Sequence, residues 1–196
     1  MKVYGPQHVY HVYNRGNNKE LVFRVSEDYA VFLNILKRYL GEKQENDSLG
    51  RLYKNFSSEI ELVAFCLMPN HYHLLLYQET ADGITKLMKS ITASYTGYFN
   101  KKYEHVGHVF QGTFKASLID QESYWQHISR YIHLNPRQWR NWRWSSLPYY
   151  LGEKQSDWVK PERLLGVFEG HDYLSFVSDH EDHKAMLDEL KTMLAN

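Results

Sequence analysis

Cysteine is nearly absent: Cys66 stands alone in 196 residues, so no intrachain disulfide can form and a thiol-rich metal site is excluded. A reducing cytosol suits such a chain. The amino-terminal stretch MKVYGPQHVYHVYN lacks the apolar core of an export signal. The longest charge-free stretch, residues 62–78, is broken by Pro69, Asn70, His71 and His73. Neither export nor a membrane span is therefore expected. A basic surplus is missing too, since 23 Lys and Arg balance 23 Asp and Glu, whereas proteins that grip phosphate backbones usually carry one. The balance hides an asymmetry. Residues 82–150 hold nine basic against four acidic side chains, and residues 151–196 five against ten. A localised basic face fits this pattern, and so does a scattered set of solvated charges.

What remains is globular in character, with 43% hydrophobic and 23% charged residues. A chain of this length makes one domain of ordinary size and buries about 70% of its unfolded surface. Aromatics stand out, with sixteen Tyr and five Trp.

Residues 9–14 alternate, placing Val9, His11 and Tyr13 on one side, and end in the turn signal Arg15-Gly16-Asn17-Asn18. Ser26 is placed to cap a helix in which Phe32, Ile35, Leu36, Tyr39 and Leu40 recur at helical spacing up to Gly41. Residues 60–68 are apolar in both alternating sets, which predicts a central strand covered on both faces. Pro69 and Asn70 then turn the chain into HYHLLLY, where His71, His73, Leu75 and Tyr77 share a face. Ile84, Leu87, Met88, Ile91, Tyr95, Tyr98 and Phe99 mark a long amphipathic helix. Residues 113–119 alternate with Phe114, Ala116 and Leu118 inward, and Asp120 or Ser123 caps a helix running to about Leu134. Strand, helix, strand, strand, helix, strand is the order of the ferredoxin-like split β-α-β sandwich. The expected class is therefore α+β: an antiparallel sheet with helices on one face, an extra helix, and an irregular carboxy-terminal extension. The extension ends in a weak helical pattern of Met186, Leu187, Leu190 and Met193.

His71 and His73, at i and i+2 on a strand, can offer two neutral imidazoles to one ion. Among eleven histidines, such a pair by itself reads more readily as a hydrogen-bonded structural feature. Leu75 occupies the third place of a nucleotide-binding HxHxH arrangement and argues against that hydrolase class. Tyr131 and Asn135, four apart on the last helix, lie on one side, so a phenol and an amide oxygen can point together at the sheet.

Several stretches together resemble a known family. MPNHYHLLL (residues 68–76), YFNKKYEHVGHVFQGTFKA (98–116), RYIHLNP (130–136) and WRWSS (142–146), preceded by YHVYNRGNN (10–18), are similar in content and order to the REP-associated tyrosine transposases of the HUH-type single-tyrosine group. The resemblance implies that His71 and His73 bind a divalent metal ion, that Asn135 completes the metal site, and that Tyr131 attacks DNA to form a 5′-phosphotyrosine. It implies Mg²⁺ or Mn²⁺, although an imidazole pair also suits zinc. It implies single-stranded or hairpin DNA with palindromic repeats as partner, a cytoplasmic, nucleoid-associated location, and a monomer or homodimer. Residues 1–136 would then form the catalytic domain, and 137–196 an extension packed on it with a Trp/Arg-rich start and an acidic tail. At the end of its helix, Asn135 is equally placed to act as a carboxy-terminal cap.

Other residues carry two readings each. Tyr95, Tyr98 and Tyr103 read as core, while Tyr124, seven residues before Tyr131, is the best substitute nucleophile. Arg15 either touches phosphate or stabilises its turn with Gly16. Lys89, Lys115 and Arg130 are further phosphate candidates. Arg137, Arg140 and Arg143 interleave with Trp139, Trp142 and Trp144; this pattern suits stacking on splayed bases, with the tryptophans more naturally packing the extension onto the domain. The acidic residues Asp179, Glu181 and Asp182 form a solvated end or a shield for the basic face. Two rivals stand beside the transposase reading: a catalytically silent protein that binds hairpin repeats, and an unrelated metal hydrolase acting on small phosphoesters.

Overall fold

The computed structural model describes residues 4–47, 49–168 and 172–179. The carboxy-terminal pattern of Met186, Leu187, Leu190 and Met193, and the acidic residues Glu181 and Asp182, lie outside them.

Alternating side chains build four strands: β1 (His8–Arg15), β2 (Ile60–Met68), β3 (His71–Gln78) and β4 (Lys115–Ile119). They form one antiparallel sheet in the order β2-β3-β1-β4. Between them run α1 (Ser26–Leu40) and α2 (Gly83–Tyr103), and after β4 comes α3 (Glu122–Leu134). The class is the α+β class expected, and the two-residue period sorts each strand's side chains between two layers. Tyr10, Val12, Leu62, Phe65, Leu67, Tyr72, Leu74 and Leu76 are buried in one cluster with Phe32 and Leu36 of α1 and Leu87, Met88, Ile91 and Tyr95 of α2. Val9, Val63, Ala64, Cys66 and Leu75 pack on the other side with Ile128 and Ile132 of α3. Each fully buried large apolar side chain contributes about 1.5–3 kcal/mol. The register of β2 against β3 shifts between Leu62 and Ala64; this bulge lets the neighbours Val63 and Ala64 join the same layer.

Three expectations need correction. β2 is not central but stands at one end of the strand order. It is covered on both faces, and its outer edge is closed by the extension: Leu67 N–H donates to Trp144 O at 2.9 Å, Ser146 N–H to Phe65 O at 2.9 Å, and Lys160 N–H to Leu62 O at 2.8 Å. An edge so covered presents no unpaired row to another chain. Leu118, expected inward, is 44% exposed on β4 at the opposite end of the sheet. Helix starts also differ. α1 begins at Ser26 with Val25 at the N-cap, and Asp28 closes the turn by accepting from the Arg24 and Val25 N–H groups at 2.7 and 3.0 Å. Gln121, rather than Asp120 or Ser123, holds the N-cap position of α3.

The extension adds three short helices, α4 (Leu147–Tyr150), α5 (Glu162–Leu165) and α6 (Tyr173–Ser178). Trp142 donates its indole N–H to Leu67 O at 2.9 Å, and Trp144 stacks on Tyr29 with ring centres 4.8 Å apart. Both tryptophans therefore pack the extension onto the sheet. Among the described residues, no helix is long and apolar enough to cross a membrane.

Candidate active site

Two turns are pinned together ahead of the histidine strand. Pro69 O accepts from the N–H groups of Val22 and Phe23, both at 2.9 Å, and Asn70 O accepts from Gly16 N–H at 2.7 Å. Asn70 Nδ2 donates to Lys19 O at 3.2 Å. A Cβ on Gly16 would stand 2.2 Å from Glu20 O, so only glycine allows the first turn to close so tightly. The β2–β3 hairpin is thereby held rigid where His71 begins β3.

The side chain of Asn70 faces His71 Nδ1 through Oδ1 at 2.7 Å. That oxygen can only accept, so Nδ1 carries the proton and His71 Nε2 keeps its lone pair. This Nε2 lies 3.2 Å from Asn135 Oδ1, and His73 Nε2 lies 3.4 Å from Asn135 Nδ2. Both imidazoles thus converge on a single amide at the end of α3, where Asn135 keeps helical dihedrals. Burial lowers the pKa of His71, against Asn135 Oδ1, which accepts from Nε2 only in the protonated ring and so raises it, and the Arg15 charge lowers it further. Burial also holds His73 well below the ordinary histidine range, reinforced by His11 and His71. Both rings are neutral at physiological pH, the form that binds metal ions.

Two lone-pair atoms, His71 Nε2 and Asn135 Oδ1, face each other without a proton between them, an arrangement that an electrophile relieves. Among the described residues no set of three His, Cys, Asp or Glu side chains could hold a metal ion; the third donor beside His71 and His73 is the Asn135 amide. Two imidazole nitrogens and an amide oxygen fit a divalent cation.

Tyr131, one helical turn before Asn135, packs edge-on against His73 and His11, with ring centres 5.3 and 5.9 Å away. Burial raises its pKa, as does Tyr13, while a hydrogen bond with Asn135 works the other way. The phenol is therefore protonated at neutral pH. It opens into a cleft of about 490 Å³ shared with Tyr13, His71 and His73, with the exposed side chains of Arg15, Gln111 and Lys115 at the cleft.

The structure brings together His71, His73, Tyr131, Asn135, Arg15 and Lys115 and leaves other candidates apart. Lys89 is exposed on α2, which covers the opposite face of the sheet. Arg130 is 1% exposed; it donates to Phe176 O at 3.3 Å and lies over the Phe176 ring, so it anchors α6 and does not reach the cleft. Arg137, Arg140 and Arg143 are exposed but outside the cleft. Arg140 donates to Ser178 Oγ at 2.9 Å and covers Trp139, and Arg143 covers Trp144. Tyr124 packs against the α3-side core and does not line the cleft. Tyr95 donates to Val22 O, and Tyr98 and Tyr103 to Asp28; all three belong to the opposite layer.

Sequence reading passed over His11, Asn70 and Gln111. His11 is fully buried, and its Nε2 lies 2.9 Å from His73 Nδ1. Its alternation with Tyr13 on β1 was the available signal, because β1 is the direct neighbour of β3.

The family model of the IS200-like transposases matches residues 8–135, every side chain of the cluster included. The chain belongs to this family and is a DNA transposase. Its fold is similar to that of a REP-associated tyrosine transposase solved bound to a REP hairpin, with a TM-score of 0.59, 15% identity, and coverage of 82% of this chain and 90% of that one. A candidate transposase from Deinococcus radiodurans R1 matches more loosely, with a TM-score of 0.41 and 20% identity over 66% of this chain and 91% of that one. No curated protein matches the sequence.

Proposed function

We propose that this transposase is a metal-dependent endonuclease and strand transferase for single-stranded DNA at hairpin-forming repeats, working through a 5′-phosphotyrosine on Tyr131. The observation that carries this reading is the convergence of His71 Nε2 and His73 Nε2 on the Asn135 amide, at 3.2 and 3.4 Å, in the cleft that Tyr131 shares. Held by His71, His73 and Asn135, a divalent ion such as Mg²⁺ or Mn²⁺ supplies charge neutralisation and orientation for the scissile phosphate.

The chain's own residues account for the rest. Arg15, Gln111 and Lys115 hold neighbouring phosphates at the cleft. The Tyr131 phenol loses its proton to water in the cleft, and its oxygen bonds to phosphorus. The bond from phosphorus to the 3′ oxygen breaks, and that oxygen leaves as a hydroxyl, taking up a proton. Asn135 and the rings of His11 and His73 hold the phenol in place. Attack by a 3′ hydroxyl on the phosphotyrosine later restores a diester and frees the phenol, so no nucleotide need be hydrolysed. A hairpin substrate is supported by the REP hairpin on the structural neighbour, and a DNA substrate places the work at the nucleoid in the cytoplasm.

Labelled single strands carrying palindromic, hairpin-forming repeats provide the test. With Mg²⁺ or Mn²⁺, the wild type cuts a hairpin strand, while His71→Ala still binds it and leaves it intact. Binding without cleavage by the wild type would instead make the protein a silent repeat binder.

A further inference from the structure

We infer that His11 is a positioning residue that fixes the tautomer of His73 and so makes that ring a metal ligand. The inference rests on the metal site proposed above. His11 reaches the site from β1, is fully buried, and shares a 2.9 Å hydrogen bond with His73 through His11 Nε2 and His73 Nδ1. Its ring lies between neighbours that leave it no freedom to turn. It stacks on His73 with centres 5.0 Å apart at 20°, stacks on Tyr13 at 5.0 Å and 27°, and meets Tyr131 edge-on.

One proton is shared along this contact, and its position decides what His73 can do. If His73 Nδ1–H donates to His11 Nε2, then His73 Nε2 presents a lone pair to the cleft. If His11 Nε2–H donates, His73 Nε2 carries the proton and cannot ligate a cation. His11 Nδ1 is buried and has no hydrogen-bond partner in either case, so that atom does not favour one arrangement over the other. The choice is settled at His73 Nε2, which lies 3.4 Å from Asn135 Nδ2: an amide nitrogen only donates, so Nε2 keeps its lone pair, the form able to ligate a cation. An acceptor at His11 is what permits this form, since without it a His73 N–H would be stranded in a dry interior. With Nε2 accepting, His11 Nδ1 carries the ring's proton without a partner, a cost that a ring buried only for packing would avoid as a phenyl group.

The test is Mn²⁺ binding, followed by electron paramagnetic resonance, together with thermal melting of the metal-free protein. Three chains are compared: wild type, His11→Phe, which keeps the stack and removes the acceptor, and His11→Gln, whose Oε1 can take the place of Nε2. Loss of an outer partner of a metal-bound histidine weakens binding about 10- to 100-fold. His11→Phe should show that loss while melting, free of metal, at or above the wild-type temperature; His11→Gln should recover most of the affinity. Equal Mn²⁺ affinity in wild type and His11→Phe overturns the inference and leaves the metal site standing. A metal-free melting temperature lowered in His11→Phe, with no recovery of affinity in His11→Gln, makes His11 structural and overturns it as well. Absence of Mn²⁺ binding by the wild type overturns the metal site itself.

Discussion

Replacing Asp28 with Asn should cost about 4 kcal/mol, although Asp28 touches no residue of the cleft. The carboxylate is fully buried and accepts on both oxygens. Oδ2 takes Arg24 N–H at 2.7 Å, Val25 N–H at 3.0 Å and the Tyr103 hydroxyl at 2.7 Å; Oδ1 takes the Tyr98 hydroxyl at 2.8 Å and Lys102 Nζ at 2.9 Å. Asparagine keeps one acceptor oxygen and turns an NH₂ group toward donors on the other side. Hydrogen bonds to a charged group are worth about 1.5–3 kcal/mol each, and two are lost outright. Breaking a buried ion pair from one side costs about 3–5 kcal/mol, and the loss stays within that range because Lys102 keeps Glu27, its second partner at 2.8 Å. A loss of about 4 kcal/mol corresponds to a fall of roughly 8–16 °C in melting temperature for a chain of this size. Residues 22 and 23, just before this knot, hold Pro69 O, so the same loosening reaches the turn that aims His71. Urea unfolding at pH 7 measures the effect. A change below about 1 kcal/mol would refute the reasoning, because a carboxylate with five good donors cannot be neutralised so cheaply.

Acid should destabilise the metal-free protein above the range in which carboxylates titrate. Burial pushes His133 down to about 3, and it is held between the Tyr173 hydroxyl at 2.6 Å and Ser146 Oγ at 2.7 Å. Unfolded, it protonates near 6.5, so its contribution is complete above that pH and is lost as pH falls from about 6.5 toward 3, at about 1.4 kcal/mol per unit. Urea unfolding at pH 7 and pH 5 should show this, and His133→Gln should reduce the pH slope by one proton. Arg15→Gln and Lys115→Gln should each lower the salt slope of single-strand binding by about 0.7. Arg130→Gln should leave that slope unchanged and lower the melting temperature, because its guanidinium serves Phe176. Salt titrations of binding to a fluorescent oligonucleotide separate the two behaviours.

Strand and helix periodicity made the order of elements legible, and the i to i+4 spacing correctly put Tyr131 and Asn135 on one side of α3. Local pattern stopped short where the answer depended on partners distant in sequence. An all-apolar strand such as β2 reports that both faces are covered and says nothing of its place in the sheet, which the return of residues 144–160 decides. Arg130 adjoins Tyr131 in sequence, yet one step around a helix turns a side chain about 100°, which carries Arg130 into the layer beneath α6. Lys89 was visible as an exposed cation, but not which face of the sheet α2 covers. His11 was the hidden member of the cluster: its period-two partnership with Tyr13 was plain, while its contact with His73 required the β1–β3 pairing.

Covalent capture tests the central claim most directly. Wild-type protein is incubated with Mn²⁺ and a single strand bearing a palindromic hairpin repeat, denatured, digested with protease and read by mass spectrometry. The account predicts a nucleotide attached through its 5′ phosphate to the peptide containing Tyr131, and none with Tyr131→Phe. An adduct that persists in Tyr131→Phe, or one mapped to Tyr124, would contradict it.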